Sequence, residues 1–593
     1  MSLTSPQTLV PFVPDNAPFS PEQRAYLNGL LAGIFSGAGA TAMGGAETSS
    51  MPVRPLTILF GSQTGNSETL AKQVAKKANA GGFKAEVFDM EAYPKERLPS
   101  EQSLLIITST YGEGDPPDNA QDLFDFIHAD DAPQLNGVRY SVLGLGDSNY
   151  PDFNQCAKQF DTRLAELGAE RMNDSVYCDV EFDDDFAAWL DASLTAAGEG
   201  EAIAPNSAPQ SLPAPADEKP EGYSRKNPFP GKLLNNYVLN KEGSGKEIRH
   251  VEICLNDSGL EYEAGDALGV APINCKALVE EVLAASGFSG SEPAPNPLGG
   301  EVTLREALAE LYDITNLSKL FLANLAPYAQ NEKLNELLAD GNGDIDEYIA
   351  GRQIIDALLD FPGKWDTALD FVEMFKKQAA RLYSISSSPK AHPGQVHLTV
   401  GAVRYETHGR KRKGVASTFL ADMEQGGEVR VFVQPNKHFK PPANAETPMI
   451  MVGPGTGIAP FRAFLEERMS TKAPGKNWLF FGDQKSEFDF IYEPQLKLMQ
   501  ATKCLTRLDL AFSRDTAEKV YVQHRMLEQA EELFAWLEEG AHFYVCGDAS
   551  RMAKDVDAAL HEAIAKASGK SYEEAAEYVD KMRKEKRYVR DVY

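Results

Sequence analysis

Short apolar runs at Leu56–Phe60, Ala85–Phe88, Leu104–Thr108 and Tyr140–Leu145 alternate with helical periodicity over 67–79, 119–128 and 154–167. That alternation predicts a doubly wound α/β unit, a parallel sheet with helices on both faces. In such sheets, ligands bind at the loops after the carboxyl ends of the strands. The period then changes: strands around Tyr237–Leu239, Arg249–Leu255 and Val396–Val403 have the pattern of an antiparallel barrel. Leu- and Ala-rich stretches between them, such as Ala277–Ala285 and Leu304–Leu311, predict a helical insert over about 275–375. The last quarter returns to α/β alternation. Strands Met449–Val452, Trp478–Phe481, Thr506–Ala511 and His542–Cys546, with a helix Ala459–Arg468, predict a second, nucleotide-binding sheet.

Composition breaks divide these units. Gly198, Gly200, Pro205, Pro209, Pro213, Pro215 and Pro220 lie among Ala, Ser and acids, which reads as a solvated linker over 197–230. Near the start, Pro21 after Ser20, followed by Tyr26, Leu27, Leu30, Leu31 and Ile34, reads as a short amphipathic helix, and Gly37–Ser50 as a flexible tether. The segment 1–53 is thus an assembly element or a frayed terminus. The folded units are 54–196, 231–444 and 445–593, in line with about three or four domains for 593 residues. No stretch reads as a membrane span or signal peptide.

Charge and cysteines narrow the function classes. The net charge is −29, and residues 101–200 hold 21 Asp and Glu against 4 Lys and Arg. This is a solvated surface or an acidic docking face for a basic redox partner, and nucleic acid is excluded as a partner. Six cysteines, at 156, 178, 254, 275, 504 and 546, show no metal-ligand spacing. A cysteine-held zinc or iron–sulfur site is not expected, no metal is assigned, and a reducing cytoplasmic setting fits.

Three strand-end loops of the first unit carry chemistry. Ser62-Gln63-Thr64-Gly65-Asn66-Ser67 opens a helix with small and hydroxyl residues, a phosphate cradle without the lysine of an NTPase loop. The second loop, Ser109-Thr110-Tyr111-Gly112-Glu113-Gly114-Asp115-Pro116-Pro117-Asp118-Asn119, and the third, Leu145-Gly146-Asp147-Ser148-Asn149-Tyr150, each set an aromatic at a strand end. Two such rings beside a phosphate loop point to stacking on a planar cofactor.

In the barrel, Arg381-Leu382-Tyr383-Ser384 offers a guanidinium for a pyrophosphate, a ring for stacking and a hydroxyl for a ring nitrogen; the alternative is a plain strand with a capped turn. Gly414-Val415-Ala416-Ser417 opens a helix as a second phosphate seat. The last unit has the loop Gly453-Pro454-Gly455-Thr456-Gly457 after a buried strand, and Ser513, Arg514, Lys519 and Tyr521 after Phe512. That cationic cluster suits a 2′-phosphate, which favours NADPH over NADH.

The motifs SQTGNS, STYGEGDPPDNA and LGLGDSNYPDFN, with RLYS, GPGTGIAPFR and the C-terminal RDVY, resemble the diflavin reductases. Within them the chain is most similar to the flavoprotein (alpha) subunits of bacterial NADPH-dependent assimilatory sulfite reductases. The resemblance implies a flavodoxin-like FMN domain followed by a ferredoxin-NADP reductase-like module. It implies that 62–67, Ser109, Thr110, Tyr111, Gly112, Leu145–Tyr150, Asn154 and Asp179 bind FMN. It assigns Thr315, Arg381–Ser384, Thr399, Val400, Gly401, Tyr405, Gly414, Val415, Ala416, Ser417 and Tyr593 to FAD. Gly455, Thr456, Ser513, Arg514, Lys519, Val520, Tyr521, Val522, Gln523 and Asp555 would bind NADPH. Ser384, Cys546 and Asp591 would surround the reacting nicotinamide and flavin atoms, although a core role is the ordinary fate of a cysteine such as Cys546. Electrons would pass from NADPH through FAD and FMN to a separate siroheme and iron–sulfur hemoprotein (beta) subunit that reduces sulfite to sulfide. A diflavin reductase serving another acceptor, such as a P450 or a flavodoxin-like protein, is the alternative, and a non-enzymatic nucleotide-binding scaffold would not need these residues. The N-terminal segment would mediate homo-oligomerisation.

Overall fold

Strand β1 (Arg54–Gly61), β2 (Phe83–Asp89), β3 (Ser103–Ser109), β4 (Arg139–Leu145), β5 (Glu170–Arg171) and β6 (Val176–Cys178) form the first sheet, in the order β2–β1–β3–β4–β5 with β6 also on β4. This computed structural model describes residues 54–62, 65–110, 114–148, 152–180, 182–198, 222–297, 299–339 and 344–593. The helix and tether expected within 1–53, and most of the expected linker, lie outside the described residues. Strand β3 runs parallel to β1 and β4, with Thr57 opposite Leu104 and Ser103 opposite Arg139. Its continuous apolar run follows from burial on both faces. Leu104 and Ile106 pack with Leu123 and Phe160 of helices Gln121–His128 and Gln155–Glu166. Leu105 and Ile107 point the other way, toward Leu70, Val74 and Trp189 of helices Asn66–Ala80 and Asp183–Gly198. The strand order reverses between β1 and β3, which opens a crevice at their carboxyl ends.

The second sheet contains β7 (Phe229–Val238), β8 (Ile248–Cys254) and β9 (Ala267–Ala271) before the insert. A hairpin, β10 (Pro293–Pro295) and β11 (Glu301–Thr303), and helices from Lys276 to Val372 make up that insert, with their own core of Leu283, Leu308, Phe321, Leu325 and Phe371. Then come β12 (Arg381–Ser384), β13 (Gln395–Gly401), a ribbon of β14 (Arg404–Thr407) and β15 (Arg410–Lys413), and β16 (Glu428–Gln434). The order is β12–β9–β16–β7–β8–β13, with every neighbouring pair antiparallel. A bridge between Ile385 and Leu398 closes it into a barrel. The sequence pattern located three of these six strands. Val429 and Val431 of β16 are buried at alternate positions, as a strand requires, but their short period stands between polar turns.

The third sheet is parallel: β17 (Met449–Val452), β18 (Asn477–Asp483), β19 (Arg507–Phe512), β20 (His542–Gly547) and β21 (Tyr588–Val592), in the order β19–β18–β17–β20–β21. All four residues of the central β17 are fully buried. Gly457 follows β17 where a side chain would run into the Cys546 carbonyl, so the tight approach of the loop to β20 demands glycine there. The chain end forms the edge strand β21. No helix among the described residues is long and apolar enough to cross a membrane.

Candidate functional site

At the end of β1 the backbone turns sharply into helix Asn66–Ala80. Gly65 takes φ of 93° at its start, and its N–H donates to Ser62 Oγ at 2.9 Å. The Ser62 N–H donates to Asn119 Oδ1 at 2.9 Å. Ser67 Oγ is buried in this first turn and has no partner. A buried, unpartnered hydroxyl at the positive end of a helix suits a bound phosphate. After β3, Thr110 donates its N–H to the Leu145 carbonyl at 3.2 Å and accepts from the Cys156 N–H at 3.3 Å, tying the second loop to the third. After β4, the Ser148 N–H donates to Asp179 Oδ1 at 3.0 Å, and its hydroxyl donates to Asp179 Oδ2. Burial opposes ionisation of Asp179, but these bonds, the Val180 N–H and the Lys376 ammonium hold its carboxyl below the usual value. Asn154 is buried with its Oδ1 unpartnered. Ser109 ends β3, and Gly146 donates its N–H to the Cys178 carbonyl at 3.1 Å. Gln63, Thr64, Tyr111, Gly112, Asn149 and Tyr150 lie outside the described residues.

The expected FAD residues fall in separate places on the barrel. Thr315 and Val415 line one cavity of about 560 Å³, with Lys276, Arg410, Lys411 and Lys413 on its wall. Arg381 lines a different one of about 410 Å³ with Ser148, Asp179 and Lys376, and its guanidinium binds Asp147 at 2.8 Å. Leu382 is exposed, while burial raises the Tyr383 hydroxyl pKa. Ser417 Oγ accepts from the Val403 N–H at 3.2 Å, next to Gly414, whose missing side chain leaves room for both. Ala416 is buried in the helix Val415–Asp422 and Val400 in the barrel wall, and Tyr405 stands exposed on the β14–β15 ribbon. Thr399 Oγ1 meets the Tyr492 hydroxyl at 2.8 Å. Gly401 faces Thr456 of the glycine loop.

Three strands bring Ser384, Cys546 and Asp591 together. Cys546 and Asp591 are register partners on parallel β20 and β21. Ser384, at the end of β12, donates to Asp591 Oδ2 at 2.8 Å. Burial pushes the Cys546 thiol well up, as does the Asp591 charge, while Ser384 opposes this. Burial also raises the Asp591 carboxyl, again against Ser384. Beside this trio, Tyr593 rests its hydroxyl 3.0 Å from Thr456 Oγ1, and its backbone bonds to Gly547 and Ala549. Its side chain remains half exposed on a cavity of about 770 Å³, shared with Gly455, Thr456, Lys246, Arg404 and Asp548.

The cationic cluster lies past β19. Ser513 and Arg514 donate their N–H groups to the carbonyls of Asp483 and Gln484. Arg514, Lys519 and Tyr521 are exposed, and Val520 and Val522 pack inward beside them. Gln523 Nε2 donates to Asp555 Oδ2 at 3.0 Å.

Family models align with this layout. A flavodoxin model matches residues 58–189, an FAD-binding domain model 222–419 and an oxidoreductase NAD-binding domain model 451–558. The chain is 45% identical to a sulfite reductase [NADPH] flavoprotein alpha-component of Bacillus subtilis, over 98% of this chain and 99% of that protein. The proteins of the same name from Photobacterium profundum and Vibrio cholerae are 41% and 42% identical, over 97% and 96% of this chain and 95% and 93% of theirs. The chain belongs to the sulfite reductase flavoprotein alpha-component family. Its three domain types make it an NADPH-dependent flavoprotein oxidoreductase that uses FMN and FAD.

Two features of this flavoprotein escaped the sequence reading. Lys246, from the turn between β7 and β8, reaches the fully buried side chain of Asp483 at 2.5 Å, beside the glycine loop. No local pattern marks it, because its partner lies 237 residues away. The second is where the acidic charge of the flavodoxin domain goes. Asp118 pairs with Arg590, Asp122 with Lys584, Asp147 with Arg381, Asp179 with Lys376, Asp183 with Lys226, Asp184 with Lys377 and Glu68 with Lys437. In each pair the acid belongs to the flavodoxin domain and the base to the rest of the chain. Part of the expected docking face is therefore occupied within the molecule.

Proposed function

We propose that the chain is the NADPH-oxidising component of a sulfite reductase, passing electrons to a separate siroheme and iron–sulfur hemoprotein that reduces sulfite to sulfide. The observation that carries this reading is the meeting of Ser384, Cys546 and Asp591 beside the glycine loop and Tyr593. Such an alignment of hydroxyl, thiol and carboxyl suits a nicotinamide that must be held face to face with a flavin. Ser384 stays oriented by its bond to Asp591, and the neutral Cys546 thiol closes the floor without adding charge. Tyr593 covers the same place and must swing aside before a nicotinamide can stack there.

The residues that hold the cofactors follow from the same reading. Ser62–Ser67, with the unpartnered Ser67 hydroxyl, hold the FMN phosphate; Tyr111 and Tyr150 flank its ring, with Thr110, Asn154 and Asp179 at its margin. Arg381–Ser384, Thr399–Gly401, Tyr405, Thr315 and Gly414–Ser417 hold FAD. Gly455, Thr456, Ser513, Arg514, Lys519–Gln523 and Asp555 hold NADPH, with Lys246 added against its phosphates. When bound, the two flavins supply the conversion of a hydride into single electrons. All six cysteines are free, which suits work in the reducing cytoplasm, and the segment 1–53 serves assembly.

Reconstitution with the sulfite reductase hemoprotein tests the proposal. The mixture should form sulfide from sulfite at the expense of NADPH, and flavin release should yield FMN and FAD in equal amounts. A flavin-loaded protein that reduces a general acceptor such as cytochrome c but gives no sulfide would point to the other diflavin reading.

A further inference from the structure

One part of the barrel wall carries side chains that neither the flavin residues nor the nucleotide residues require. His250 and Glu252 lie two apart on β8 and so share a face, and His397 of β13 stands directly across from Glu252 in the antiparallel register. One ring nitrogen of each histidine and one Glu252 oxygen all lie within 4.8 Å of one another. His250 is 1% exposed and His397 2%.

The surroundings orient these donors. The Tyr492 hydroxyl lies 2.8 Å from His250 Nδ1, which turns the other ring nitrogen toward Glu252 Oε1 at 3.3 Å. Asn235 donates to Glu252 Oε2 at 2.6 Å. His397 Nε2 is 3.2 Å from Gln395 Oε1, but its Nδ1 is buried without any partner. A buried ring nitrogen of that kind carries a desolvation penalty that a ligand would remove. The nearby Arg462 charge is matched by Glu466 at 2.7 Å, so it does not repel a cation unopposed.

We propose that His250, Glu252 and His397 bind a divalent transition-metal ion of the zinc class. Two imidazoles and one carboxylate form a three-ligand zinc set that leaves a fourth position for water. Tetrahedral bonds of about 2.0–2.1 Å place ligand atoms about 3.3 Å apart, so the trio closes by roughly 1.5 Å at most. The ion ties β8 to β13 where the barrel meets Tyr492 of the nucleotide-binding half.

The test uses the full-length, flavin-loaded protein, stripped with a chelator and dialysed against zinc sulfate. Metal analysis should find about one zinc per chain, and zinc K-edge spectra should show a nitrogen and oxygen shell that includes histidine. Glu252→Gln and His397→Gln should each weaken zinc binding by roughly tenfold or more at unchanged flavin content. If His397→Gln fails to fold, the less buried Glu252→Gln decides. No tight zinc in the wild type, equal binding by a folded Glu252→Gln variant, or a sulfur shell from cysteine would overturn the proposal.

Discussion

Asp591 combines a burial penalty with a hydrogen bond from Ser384. Its carboxyl is raised above the ordinary range, so around that range the folded protein holds a proton that the unfolded chain has already released. The site therefore adds stability in acid and loses it as pH rises through the folded pKa. Asp591→Asn keeps an acceptor for Ser384 but removes the charge. It should raise the Tm at neutral pH, with the gain vanishing in acid, while stopped-flow reduction of the flavin by NADPH slows. A uniform Tm change across pH would show that the carboxyl is not the cause. On the exposed cluster, Arg514→Ala or Lys519→Ala should weaken NADPH binding by about 1–3 kcal/mol and leave NADH binding nearly unchanged. Binding titrations with both coenzymes check this; equal losses would make the cluster structural.

Helix Asn66–Ala80 shows how an element end prepares a site. Gly65 stands in the αL conformation at the helix start, where the first N–H groups have no intrahelical acceptor, and Ser67 Oγ is left buried and unpartnered in the first turn. Ser67→Ala removes that orphan group without disturbing the helix, so thermal stability of the flavin-free protein should hold or rise slightly. FMN should nonetheless dissociate roughly 10-fold more readily, as measured by equilibrium dialysis, because a charged phosphate loses one donor. At the other end of the chain, β21 is an edge strand. Its pairing with β20 puts Asp591 opposite Cys546 and leaves Tyr593 beside Thr456. Removal of Tyr593 alone should reduce the preference for NADPH over NADH, seen in the ratio of kcat/KM values, because a nicotinamide then stacks without displacing a ring.

At the scale of the whole molecule, seven ion pairs join the flavodoxin domain to the rest of the chain. Each exposed pair contributes about 0–1 kcal/mol and is screened once the Debye length falls to about 8 Å near physiological salt. Their sum holds the domain in place while leaving it easy to release. Raising the salt should therefore expand the protein, measured by small-angle scattering, and Asp118→Asn with Asp147→Asn should move the transition to lower salt. Electron delivery to an acceptor that uses the same acids should pass through a maximum with salt, since docking within the chain and docking of the acceptor compete for one face. A size independent of salt, or unaffected by the two substitutions, would contradict this.

Features carried by neighbouring residues were legible in the sequence. The β1, β3 and β4 runs, the glycine loop after β17 and the Ser62–Ser67 turn each depend on local period or local backbone freedom, and their types follow from side chains a few positions apart. The short barrel strands were harder: β12 is four residues long, and its sequence left a cofactor loop and a plain strand both open until its pairing with β9 made it a strand. Contacts between distant residues were not legible in local pattern, and the meeting of Ser384, Cys546 and Asp591 was expected from the family resemblance alone. Register alone sets Asp591 against Cys546 and His397 against Glu252, and packing alone brings Lys246 to Asp483. By itself the sequence determined the α/β alternation at both ends of the chain, the small-residue loops after their strands and the excess of acid in residues 101–200. Tertiary structure decided which carboxyl meets which thiol, which histidines share a wall and which acids turn inward to bases of the same chain. The reason is physical: backbone preference acts over a few residues, whereas a partner 237 residues away is chosen only when the sheets have closed and buried their faces.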